Sequence, residues 1–172
     1  MDSKKRMMFI LEEDYYFVTI KILLILKALD CDKKSFEDYR KLGIIFEFVK
    51  TQENVVFLEK IMENKVNNIF DNEKLVKIFC DSKLNLSVIK RVLFFLEKKD
   101  MIEMEKSQKN GSVDITLKIN QEFESLIENE LLQEDINRCL TIKKLLPKIK
   151  RLTLNTLQKK VFGHEEMIKW EG

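Results

Sequence analysis

The residues able to do chemistry are few and scattered. The single histidine, His164, has no cysteine near it, and Cys31, Cys80 and Cys139 lie far apart with no CxxC pair. A zinc site needs about four clustered nitrogen and sulfur ligands, and a disulfide framework needs an even, patterned set, so neither is expected. Buried free thiols in a reducing cytoplasm are the reading that remains. A Ser-His-Asp triad would have to use His164 in the tail 163–172, whereas triad chemistry requires an imidazole held in place. Of the four glycines only Gly163 and Gly172 lie within ten residues of each other, so no phosphate-cradling loop can be drawn. Paired acids occur at Glu12-Glu13, at Glu165-Glu166 and through 122–135, but acid runs at helical spacing ordinarily form a solvated face. The expectation is a protein that is not an enzyme and carries no metal or cofactor.

What would position other functions is a mostly helical frame. In 172 residues there are 4 glycines and 1 proline, 45% are hydrophobic and 35% charged, and 31 basic against 29 acidic side chains leave a net charge of +2. That composition excludes collagen-like and Pro/Gly-rich disordered classes. It also argues against a sandwich or barrel, whose many tight turns need glycine. The most apolar run, Tyr15 to Leu29, is shorter than the roughly 20 residues of a membrane span, and Lys21 and Lys27 interrupt it. It predicts a core helix over 14–29, preceded by a short arm, 1–12.

The rest of the chain reads as follows. Ser35 or Asp32 is placed to cap a second helix, in which apolar residues at 36, 39, 42, 45, 46 and 49 keep spacings of 3 and 4. Gly43 within it suggests close packing on the first helix. A further helix is expected over 54–62, then an Asn-rich loop, and a short helix over 73–82. After a turn at 83–85, the segment 86–99 (LSVIKRVLFFLEKK) has strong helical spacing. Residues 101–105 and 113–119 alternate apolar and polar, the strand signal, around the turn dipeptide Asn110-Gly111. The fold class expected is mainly α with a small β-hairpin: N-terminal helices over 1–72, a winged helix-turn-helix over 73–119, and charged C-terminal helices over 120–172.

A winged helix often reads DNA with its second helix. Here that helix offers Lys90, Arg91, Lys98 and Lys99, and the wing adds Lys106 and Lys109. Phe94 and Phe95, however, extend the apolar surface around most of the cylinder, which favours a helix packed on two sides over one that meets a DNA groove. Phe94 and Phe95 are therefore candidate partner contacts.

The C-terminal third is segregated by charge. Glu122, Glu124, Glu128, Glu130, Glu134 and Asp135 give a block of −6; Arg138, Lys143, Lys144, Lys148, Lys150, Arg151, Lys159 and Lys160 give a block of +8. Pro147 should break the helix it falls in, and Gly163 should stop the last one. Three readings stand open for the basic block. It pairs with the acidic block as a helical hairpin; or its apolar residues Ile142, Leu145, Ile149 and Leu152 dock on a partner; or Lys143, Lys144, Lys148, Lys150, Arg151, Lys159 and Lys160 contact phosphate, as in non-specific DNA binding.

Two segments carry a family resemblance. In 21–50 (KILLILKALDCDKKSFEDYRKLGIIFEFVK) an apolar helix passes through ALDCD into an aromatic-aliphatic helix, and in 86–105 (LSVIKRVLFFLEKKDMIEME) a helix closes into a wing strand. With these, residues 15–119 resemble the small middle components of bacterial ABC-three-component systems, the Lamassu type of anti-phage defence. The resemblance implies a non-catalytic, cytoplasmic adaptor. Its implied partners are a long coiled-coil ATPase resembling SMC and Rad50 proteins, on whose heads it would sit, and an effector subunit, often a nuclease. No catalytic residue carries over, and 120–172 lies outside the resemblance. The competing expectations are a winged-helix DNA-binding transcription regulator and a plasmid replication or partition accessory protein.

Overall fold

From Ser3 to Ala28 the chain contains neither glycine nor proline, and in the computed structural model it forms one helix, α1 (Ser3–Ala28). The structure describes residues 3–109 and 111–163, with side chains from 14 onward. The arm expected at 1–12 is thus, from Ser3, the first three turns of α1. Good helix formers continue the helix without a break. Near its C-terminal end it is buried around the whole circumference: every residue from Lys21 to Leu26 is inside.

The second helix is shorter than its periodicity predicts. α2 (Lys41–Val49) begins after Arg40 with no side-chain cap, so neither Asp32 nor Ser35 caps it. Phe36 has instead left the helical path. Its N–H donates to the Ile115 carbonyl at 2.7 Å, and the Ile115 N–H donates back at 3.0 Å. A long-range bridge therefore overrides the local 3–4 pattern. All nine residues of α2 are buried, because α1, α3, α4, α5 and α7 surround it. Gly43 does mark a close approach, but to α4 rather than α1: a Cβ there would sit 2.5 Å from the Ser82 carbonyl oxygen.

α3 (Gln52–Met62) is capped by Thr51, and α4 (Ile69–Leu84) by Asn68, whose side chain accepts the Asp71 N–H at 2.8 Å. The expected turn at 83–85 shrinks to Asn85, which joins α4 to α5 (Leu86–Lys98) in a single residue. Strands β1 (Ile102–Lys106) and β2 (Val113–Leu117) pair antiparallel, with Ile102 opposite Leu117 and Lys106 opposite Val113. Gly111 supplies a positive φ of 60° in their turn; Asn110 lies outside the described residues. Then come α6 (Gln121–Ile127), a 3-10 turn at Glu130–Leu132, α7 (Gln133–Leu145) and α8 (Leu154–Phe162). Pro147 follows the end of α7, and Gly163 closes α8 in the left-handed conformation. The described chain is thus mainly helical with one small antiparallel hairpin. A single cluster of buried residues runs from Val18 through Phe46, Leu93 and Ile115 to Phe162. It draws on all three stretches, 1–72, 73–119 and 120–172.

Candidate interaction surfaces

Buried polar side chains in this fold fasten elements together. Lys41 is fully buried, and its ammonium donates to the carbonyls of Ile149 at 2.7 Å and Lys150 at 2.9 Å, over the Phe36 ring. Burial pulls its pKa down to about 8. Asp38 accepts from the Arg40 guanidinium at 2.7 and 2.8 Å and from the Ser112 hydroxyl at 2.8 Å, which ties the hairpin to the start of α2. Burial pushes its carboxyl up, but the Arg40 and Ser112 hydrogen bonds outweigh this and hold it below the ordinary value. Lys21, inside α1, pairs with Asp135 of α7, which also binds Arg138 at 2.8 Å.

Cys31 and Cys139 are buried, and desolvation pushes both thiols up to about 12, so neither is a nucleophile near neutral pH. Cys80 is exposed. Among the described residues no three His, Cys, Asp or Glu side chains are grouped to hold a metal ion. His164 and Glu165-Glu166 lie outside the described residues, as do the side chains of Glu12 and Glu13.

The surface is where unusual groups collect. α5 buries Ile89, Val92, Leu93 and Leu96 against α1 and α2 on one hand and α4 and β1 on the other, and leaves Phe94 58% exposed on its remaining face. Phe95 meets Tyr15 edge-on, with ring centroids 5.9 Å apart. The two rings help to line a groove of about 720 Å³ between α1, α2 and α5, together with Phe17, Phe46, Val88 and Arg91. A second apolar surface runs along α4. Leu75, Ile78 and Ser82 face the core, while Ile69, Val76, Cys80 and Leu84 follow at intervals of seven, four and four on the outer side. Ile69 is 71%, Phe70 78% and Leu84 73% exposed. Sequence reading missed this stripe, because α4 extends four residues upstream of the expected 73–82 and brings Ile69 and Phe70 into register.

The other predicted partner residues divide. Ile142 and Ile149 are buried in the chain's own core, and this corrects their assignment as docking contacts. The apolar side of the basic segment is spent internally. Leu145 and Leu152 are half-buried.

The first of the three readings, an acidic-basic hairpin, is not what the ion pairs show. Among the described residues, the contact between the two blocks is that of Arg138 with Glu134 and Asp135, one turn away on α7. Lys143 pairs with Asp30, and Lys150 donates to the Asp30 carbonyl at 2.9 Å. The Lys143 hydrogen bond holds the Asp30 carboxyl below its ordinary value. Lys144, Lys148, Arg151, Lys159 and Lys160 are exposed.

Fold and surface together define a mainly helical protein whose distinctive groups are apolar patches and segregated cations. No protein-family model, curated protein or solved structure matches the chain. No helix among the described residues is long and apolar enough to cross a membrane.

Proposed function

We propose that this chain is a non-catalytic adaptor subunit that works by docking on partner proteins. The observation that carries the reading is the exposure of large apolar side chains in patches beside an already filled core: the α4 stripe, Phe94, and the aromatic groove at Tyr15, Phe17 and Phe95. Contiguous apolar surface on a folded protein ordinarily marks an interaction site, and aromatic residues are enriched at interface centres. The identity of the partners comes from the sequence resemblance: an SMC- or Rad50-like ATPase, with the adaptor on its heads, and a nuclease effector whose release or activation it would control in anti-phage defence. The order α4, α5, hairpin, with Phe36 as a further rung of the sheet, supports reading 73–119 as a winged helix-turn-helix used as a scaffold.

The test is co-expression of the tagged chain with the products of the neighbouring genes. The expected result is co-purification of a coiled-coil ATPase, and loss of it in Phe17→Glu and Phe94→Glu variants that keep their melting temperature. Capture of no ATPase sinks the reading. Sequence-specific binding of duplex from the chain's own promoter region, without such capture, would favour a transcription regulator.

A further inference from the structure

Of the seven cations predicted to contact phosphate, Lys143, Lys148, Lys150 and Arg151 line a single cleft of about 220 Å³ whose floor is Leu29, Leu146 and Ile149, and Lys144, Lys159 and Lys160 are not among those that line it. Three features build it. Pro147 ends α7, so the chain turns sharply there; Lys148 takes a left-handed backbone conformation, φ 65°; and Lys41 holds the Ile149 and Lys150 carbonyls from inside. Every charged side chain lining the cleft is cationic. Asp30, at its edge, is engaged by Lys143 and Lys150, and Asp32 faces Lys27 at 3.9 Å. Lys148 and Arg151 are exposed and make no ion pair among the described residues.

We propose that this cleft binds the phosphodiester backbone of duplex DNA without sequence preference. A chain with a net charge of only +2 gathers four cations in this corner against the single carboxylate of Asp30, and an anion lying across it would offset the positive excess that remains. Phosphate oxygens are acceptors, and Lys and Arg head groups are donors only. The cleft has no aromatic side chain to stack a base, and its volume is below the roughly 300 Å³ at which small-molecule pockets begin. Both points favour a backbone phosphate, with its sugar against the apolar floor, over a free nucleotide. The inference does not rest on the adaptor reading: DNA contact here is compatible with any partner on the α4 and α5 faces.

Fluorescence anisotropy with a random-sequence duplex, titrated over salt, tests it. The logarithm of the binding constant should fall linearly with the logarithm of salt, by about 0.9 for each phosphate contacted. Lys148→Gln with Arg151→Gln should flatten that slope by about 1.8 and weaken binding roughly 60-fold at 0.1 M salt. Lys148→Arg with Arg151→Lys should restore both, and Lys159→Gln with Lys160→Gln, outside the cleft, should leave the slope unchanged. An unchanged slope in the first variant, or no duplex binding by the native chain, overturns the proposal. So does loss of polyglutamate binding with duplex binding intact, which would assign the cleft to an acidic protein surface. ATPase capture by the first variant should persist, and that separates this outcome from failure of the adaptor reading.

Discussion

Gly43 and Lys41, two residues apart on α2, show how single positions hold this molecule. A Cβ on Gly43 would meet the Ser82 backbone oxygen at 2.5 Å and the Leu86 side chain at 3.1 Å. Alanine is a better helix former by about 1 kcal/mol, but the obstacle is backbone and cannot swing away. Overpacking of this kind costs about 1–3 kcal/mol, so Gly43→Ala should lower the urea midpoint at unchanged m, with a net loss of stability of up to about 2 kcal/mol. Lys41 gives a pH signature. Its folded pKa of about 8 lies below the ordinary 10.5, so the unfolded chain binds more protons between these values and stability rises with pH across that window. Cys31 and Cys139 act in the opposite sense. Their folded values of about 12 lie above the ordinary 9.0, so the stability they contribute is lost as pH climbs from 9.0 toward 12. Urea stability should therefore rise from pH 7.5 to about 9 and decline above it, and Lys41→Met should abolish the rise while keeping the decline. A rise that survives in Lys41→Met would refute this assignment.

Among the elements, α5 and the hairpin were legible in sequence because their signals are local: 3–4 spacing through Ile89, Val92 and Leu96, then alternation on either side of Gly111. Pro147 and Gly163 also acted where chain chemistry places them. What could not be read was decided by distant contacts. Phe36 has helical spacing with Tyr39 and Leu42, yet it bridges Ile115, 79 positions away in sequence. Ile142 and Ile149 carry an amphipathic pattern that does not say whether the apolar face meets this chain or another. α4 was underestimated because its start depends on a cap and an ion pair: Asn68 accepts from Asp71, and Lys60 of α3 pairs with the same Asp71. Loss of an N-cap costs about 1 kcal/mol. Asn68→Ala should destabilise the protein by about that amount and speed amide exchange in the first turn of α4, whereas Asn68→Asp should restore both. Equal exchange in all three proteins would mean the ion pair alone fixes that end.

At the scale of the whole molecule, near-neutral charge conceals an uneven surface. The acidic and basic blocks adjoin in sequence, and pairing them in a hairpin is the obvious arrangement. Instead, contacts also run outward, Asp135 to Lys21 in the core helix and Lys143 to Asp30 just beyond its end, so α7 is tied to α1 and the turn after it, and Lys144, Lys148, Arg151, Lys159 and Lys160 are left on the surface. The apolar surplus is displaced in the same way, onto α4. Burying one large aliphatic side chain is worth about 1.5–3 kcal/mol, so Ile69, Phe70, Val76 and Leu84 together give isolated copies a strong reason to associate when no partner covers them. Sedimentation velocity of the chain alone should show a weight-average mass that grows with concentration. Val76→Glu with Leu84→Glu should return it to the 20.6 kDa monomer. Because both side chains are exposed, the pair should change folding stability by no more than about 0.5 kcal/mol each. A native chain that stays monomeric across that range would show that the stripe is not adhesive, and would remove α4 from the docking surfaces while leaving the groove at Phe95 standing.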